Sequence, residues 1–145
     1  MTSSKKYYYH INDETIYSKL IEKVKISKSK CIIFLNGEVG AGKTTFVKSY
    51  LSYKGDFNND ATSPTFTIVN EYPSASQNIY HYDFYRLKTK NELTEIGIDY
   101  YLDQPGIHFI EWPNSFIEYL PKPVITINFT ILKESRLIRV ETNNG

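Results

Sequence analysis

The stretch Gly37-Glu38-Val39-Gly40-Ala41-Gly42-Lys43-Thr44 fills every fixed position of G-x-x-x-x-G-K-[ST]. Glycines at these spacings let the backbone curl so that successive N–H groups converge on phosphate oxygens. A helix that begins directly after such a loop aims its positive end at the same point. Lys43 is then placed to reach the β and γ phosphates of a nucleoside triphosphate. The Thr44 hydroxyl is placed to meet the Mg²⁺ that such a ligand brings with it, since Mg²⁺ prefers phosphate oxygen and water to an all-protein cage.

A phosphate loop of this kind needs a further carboxylate on the metal side, at the end of a buried strand across from the loop. Two residues fit. Glu111 ends the apolar run Ile107-His108-Phe109-Ile110, and Asp83 closes a second one within His81-Tyr82-Asp83-Phe84-Tyr85-Arg86. A lone carboxylate at a strand end is ordinarily an exposed cap or turn residue, but the loop upstream gives these two a task. Thr65, in Ser63-Pro64-Thr65-Phe66-Thr67, follows a polar loop after the first helix, where nucleotide switches place a threonine that senses the γ-phosphate. An ordinary turn before a strand explains it equally well. His108 reads as a packed core histidine rather than a catalyst. His81 has no stronger case from spacing alone, and Trp112 is either a packing anchor or a partner-facing aromatic.

The surrounding pattern supplies the elements that would hold these groups. Ile16, Leu20, Ile21 and Val24 recur at helical spacing over residues 13–26, with Asn12 or Asp13 as N-cap. Cys31-Ile32-Ile33-Phe34-Leu35 is continuously apolar, as in a strand buried on both faces of a parallel sheet. Lys43 to Tyr53 suits a helix and Lys54 to Ala61 a polar loop. Phe66 to Tyr72 and Ile79 to Phe84 read as a hairpin around Pro73-Ser74-Ala75-Ser76-Gln77-Asn78. Residues 91–102 read as short helical pieces broken at Gly97, and Ile107 to Ile110 as a strand. Pro113 sits where a helix can start, because its missing N–H costs nothing there. Val124 to Ile131 and Leu137 to Glu141 form a strand pair around Lys133-Glu134-Ser135. The expected fold is a three-layer α/β phosphate-loop NTPase architecture, a mostly parallel or mixed central sheet flanked by helices.

Composition narrows the rest. A length of 145 residues fits a single domain spanning the chain. Hydrophobic residues at 41% and charged residues at 23% are ordinary globular values, so neither disorder nor a membrane protein is indicated. A net charge of +1 gives no global field for nucleic acid or an anionic membrane, so any RNA connection has to be local or indirect. The polar start lacks an apolar signal region, and no apolar run approaches the ~18 residues of a membrane span. A cytoplasmic location is expected. Cys31 is the sole cysteine, which rules out an internal disulfide and fits a buried strand position. The 13 tyrosines are spread along the chain at no fixed spacing, and read as compositional drift.

GEVGAGKTTF, SPTFT, HYDFYR, ELTEIGIDYYL and IEWP, in this order and separation, resemble the TsaE family of bacterial phosphate-loop ATPases. The likeness runs from Glu14-Thr15 to the turn at Ser135 and Arg136. It implies a role in making the threonylcarbamoyl modification of adenosine 37 in transfer RNAs that read codons starting with A. By that resemblance the protein is not the transferase. It acts on a complex of TsaD and TsaB, reaches tRNA only through them, and uses ATP turnover to reset them. The resemblance also implies that Glu38, Val39, Gly40, Ala41, Gly42, Lys43, Thr44 and Thr45 bind nucleotide, that Thr44 and Glu111 hold Mg²⁺, that Asp83 is needed for activity, and that Thr65 belongs to the switch. The region from Asp13 to Thr15, with Ser135 and Arg136, would flank the adenine. Val39 stands where the family commonly has Leu, and Asn114 where an acidic residue is frequent; neither change removes a ligand.

A small-molecule kinase using the same loop is the principal rival. Against it, the arginines are only Arg86, Arg136 and Arg139, too few and too scattered for a phosphate-gripping lid. A nucleotide-dependent binding module without catalysis is the second rival.

Overall fold

The computed structural model describes residues 3–11, 16–24, 26, 29–55, 68–73 and 76–144. In chain order its elements are β1 (Ser3–Ile11), α1 (Ile16–Val24), β2 (Lys30–Asn36), α2 (Lys43–Lys54), β3 (Val69–Tyr72), β4 (Ile79–Asp83), α3 (Lys90–Ile96), α4 (Ile98–Leu102), β5 (Gly106–Glu111), a 3₁₀ helix (Asn114–Tyr119), β6 (Ile125–Ile131) and β7 (Arg136–Asn144). The strands form one sheet in the order β1-β7-β6-β2-β5-β4-β3. The four central strands run parallel, while β7, β1 and β3 add antiparallel edges.

The apolar run of β2 demands cover on both faces, and both are covered. Alternate residues Cys31, Ile33 and Leu35 pack with Phe46, Val47, Tyr50 and Leu51 of α2 and Tyr17, Leu20 and Ile21 of α1. Ile32 and Phe34 point the other way, into a second core with Tyr82, Leu93, Ile98, Leu102, Ile110 and Phe116. That second core is roofed by α3, α4 and the 3₁₀ helix, so the molecule has the three layers its patterning calls for.

Gly97 separates α3 from α4 with a left-handed φ of 73° and caps the first of them. A capping box joins Thr89 and Glu92 at the start of α3. Pro113 precedes the 3₁₀ helix as its N-cap residue rather than sitting in its first turn. The hairpin strand expected from Phe66 begins at Val69; Phe66 and Thr67 lie outside the described residues. β4 ends at Asp83, one residue short of the Phe84 expected, and the Phe84 N–H closes its pairing with β5 on the Glu111 carbonyl at 3.1 Å.

The first strand went unanticipated. β1 pairs with β7 from Ser3↔Asn144 to Ile11↔Arg136, with Ile11 buried and Tyr7 and Tyr9 packed on the first core. Tyr8 faces outward at 63% exposure. Aromatics on both faces of one strand erase the polar and apolar alternation that would reveal it. Tyr17, Tyr50, Tyr80 and Tyr82 are buried too, so much of the tyrosine surplus is core packing.

Register, more than any single contact, builds the site. β2 pairs β5 with Leu35↔Glu111, and β4 pairs β5 with Asp83↔Glu111. The loop leaving β2 therefore departs beside two carboxylates at the C-terminal ends of parallel strands, where open α/β sheets bind ligands.

Candidate nucleotide-binding site

Within the loop, Ala41 N–H bonds the Glu38 carbonyl at 3.0 Å, and Phe46 N–H bonds the Gly42 carbonyl at 2.9 Å as α2 begins. Two glycines are required by their neighbours. A Cβ on Gly37 would lie 2.8 Å from the Phe129 carbonyl oxygen, and one on Gly42 would lie 2.6 Å from the Tyr17 hydroxyl. Gly42 also holds a left-handed φ of 111° as the N-cap of α2. Gly42→Ala is accordingly expected to push the loop off Tyr17 and weaken nucleotide affinity by roughly tenfold, taking about 1–3 kcal/mol for such backbone strain. Equilibrium titration with a fluorescent ATP analogue checks this, and wild-type affinity in the variant contradicts the loop geometry.

Lys43, the first residue of α2, is only 4% exposed. Its ammonium donates to the Gly37 carbonyl and, at 3.3 Å, to that of Glu38, and it lies 4.0 Å from the centre of the Trp112 ring. Burial lowers its pKa, and the carboxylates of Glu111 and Asp83 oppose that shift. The next residue faces the same carboxylate, with the Thr44 hydroxyl donating to Glu111 Oε2 at 3.1 Å. That oxygen also accepts a hydrogen bond from His81 Nε2, and both His81 and Glu111 are buried. Asp83, half-buried on the neighbouring strand, accepts the Tyr85 N–H at 3.0 Å.

Trp112, directly after Glu111, has a φ of 60°, a left-handed backbone that bulky residues rarely adopt. Such strain gathers at ligand sites. Here it accompanies an indole set against Lys43 and 4.8 Å from the Tyr85 ring. Of the two alternatives, packing anchor fits: Trp112 packs against the second core and also lines the cleft. Val39, Gly40, Thr45, Ile68 and Arg86 complete a cavity of about 430 Å³ with the residues above.

Thr44 and Glu111 offer hard oxygen donors side by side, with Asp83 beside them, and this donor set suits Mg²⁺. At the outer edge of the loop, Arg136 donates to the Gly40 carbonyl at 3.3 Å and to the Ser135 carbonyl at 2.9 Å. The Ser135 hydroxyl is 2.7 Å from His10 Nε2. The turn between β6 and β7 thus lies against the phosphate loop.

A family model described as "Threonylcarbamoyl adenosine biosynthesis protein TsaE" matches residues 11–138. The chain belongs to the TsaE family. A TsaE protein of Rickettsia felis is 35% identical over 137 residues, covering 93% of this chain and 80% of the relative. One from Haemophilus influenzae is 38% identical over 125 residues, covering 84% and 78%. The crystal structure of Bacillus subtilis YdiB superposes with a TM-score of 0.71 at 26% identity, covering 98% of this chain and 87% of that one. The TsaE family is involved in tRNA threonylcarbamoyladenosine biosynthesis. No helix among the described residues is long and apolar enough to cross a membrane.

Set against the TsaE motifs, the structure brings Val39, Gly40, Gly42, Lys43, Thr44, Thr45, Asp83 and Glu111 to one cleft. Ala41 is buried beneath the loop, and the Glu38 carbonyl holds Lys43. Ser135 and Arg136 lie at the loop's outer edge. Thr15 and Thr65 fall outside the described residues, as does the N-cap at Asn12 or Asp13. His108 is a core residue, as its sequence context implied. Its Nε2–H donates to the Gln104 carbonyl at 2.9 Å, Nδ1 accepts from the Tyr82 hydroxyl at 2.7 Å, and burial lowers its pKa. Tyr17, His81 and Tyr85 were missed as site residues. The HYDFYR string carries the last two, but nothing in helical spacing marks Tyr17 as the residue beneath Gly42.

Proposed function

We propose that this chain binds ATP with Mg²⁺ in the phosphate-loop cleft, hydrolyses it slowly alone, and couples turnover to association with a TsaD–TsaB complex. Through that complex it serves tRNA threonylcarbamoyladenosine formation in the cytoplasm, without contacting tRNA itself. One observation carries the reading: Lys43 and Thr44, at the start of α2, face Glu111 and Asp83 across a single cavity.

The chemistry follows from what each group holds. Loop amides and the α2 terminus bind the phosphate tail, while the Gly37 and Glu38 carbonyls keep the Lys43 ammonium turned inward, where γ-phosphate charge would sit. When bound, Mg²⁺ would supply Lewis-acid neutralisation of the phosphate charge. Thr44 and Glu111 are the residues that would hold it. Glu111 already shares Oε2 between two donors, which makes it a fixed metal-side ligand. Asp83 then takes the water side, positioning the nucleophile for in-line attack. Ser135 and Arg136, at the outer edge of the loop, are the residues assigned to flank the adenine.

Phosphate release from ATP, measured with and without purified TsaD and TsaB, tests this. Free phosphate that rises on adding the partners, together with ATP-dependent co-elution, is the expected result. Unchanged turnover and no co-elution would remove the partner role. A phosphorylated small acceptor would point to a kinase instead.

A further inference from the structure

Two histidines lie in the core, and they are not built alike. His108 uses both ring nitrogens, one on a hydroxyl and one on a carbonyl. His81 has 0% exposure, yet only Nε2 is bonded, while Nδ1 is buried without a partner among the described residues. An orphaned buried nitrogen costs stability, so a histidine kept only for packing has no reason to hold this arrangement. Its single bond goes to Glu111 Oε2, the oxygen that Thr44 also meets.

We infer that His81 is a positioning residue that presets Glu111 for Mg²⁺. This rests on the nucleotide reading above. A carboxylate only accepts, so Nε2 carries the proton and donates it to Oε2. With Thr44 Oγ1 donating to the same atom, Oε2 is pinned from two sides: from β4 behind the cleft and from α2 beside it. Oε1 has no hydrogen-bond partner among the described residues, and is the oxygen left for the metal or its waters. The carboxylate is thereby held in place before the ion arrives, as outer partners hold metal ligands elsewhere. Leu35 and Phe109 flank this part of the sheet, so water is poorly placed to replace the imidazole.

The test compares wild type with His81→Leu, which keeps apolar bulk, and His81→Gln, which keeps an N–H donor. The readout is affinity for the non-hydrolysed analogue AMPPNP in Mg²⁺ and in EDTA, with the ratio of the two reporting the metal. The Mg²⁺ gain is expected to fall about tenfold in His81→Leu and to be largely restored in His81→Gln, by analogy with outer-partner losses of about 10–100-fold. Affinity in EDTA should be equal in all three. A full wild-type Mg²⁺ gain in His81→Leu would overturn the inference while leaving the nucleotide site intact. Absence of AMPPNP binding by wild type in both conditions would instead overturn the nucleotide reading. Should the variants not fold, ¹⁵N NMR of the wild-type imidazole decides: a protonated Nε2 with bare Nδ1 supports the role, and a neutral ring protonated at Nδ1 overturns it.

Discussion

With Lys43→Ala, the proposed ATP turnover is expected to fall by at least about 100-fold, the scale of losing one preorganised donor aimed at developing charge. The ammonium is held by two loop carbonyls and lies beside two carboxylates, and among the described residues no other lysine or arginine is buried with it. Arg86 lines the same cleft, but it is exposed and cannot occupy the buried position under the Trp112 ring. The free protein should not suffer from losing the charge. Burial lowers the Lys43 pKa, so the unfolded chain binds that proton more readily, and folding carries a penalty at neutral pH. As pH rises from the lowered pKa toward the ordinary lysine value, the penalty fades and wild type gains stability. Lys43→Met, which keeps the apolar stem, should melt no lower than wild type near pH 7 and lack that gain. Phosphate release and thermal melts across pH check both parts, and undiminished turnover in Lys43→Ala would refute the assignment.

Glu111→Gln is expected to fold and still bind nucleotide, but to lose turnover by roughly 100-fold, through a weakened grip on the metal. The amide oxygen of glutamine can accept the same two hydrogen bonds from Thr44 and His81, so the cleft wall is preserved. Its amide N–H₂ then occupies the place of Oε1 and presents donors where a cation or its waters need an acceptor. Lys43 also loses the larger of its two anionic neighbours, which lowers its pKa further. Hydrolysis assays over a Mg²⁺ series separate the effects: extra Mg²⁺ should recover part of the loss. Turnover equal to wild type at low Mg²⁺ would show that Glu111 is not a metal-side ligand.

The central architecture was legible in the sequence because each signal there is local. An uninterrupted apolar strand, a complete phosphate-loop pattern and a following helix lie within residues 31–53, and the breaker at Gly97 divides the helices where it stands in the sequence. Glu111 and Asp83 could be found as strand-end carboxylates, but not ranked. Their difference lies in what comes from other elements, namely Thr44 from α2 and His81 from β4 converging on a single oxygen of Glu111. That convergence depends on the register of β4 against β5, and because both strands are buried on both faces they carry no alternation from which to read it. Tyr17 was hidden for a similar reason: its place on α1 was readable, but its hydroxyl meeting Gly42 depends on how α1 lies against the loop. β1 escaped because tyrosines occupy both of its faces.

Calorimetric titration of the purified chain with ADP in the presence of Mg²⁺ tests the nucleotide site most directly. A single saturable site, weakened when Mg²⁺ is chelated and lost in Gly42→Ala combined with Lys43→Ala, is the predicted result. No saturable heat up to about 1 mM ADP, where binding is worth only about 4 kcal/mol, would contradict it.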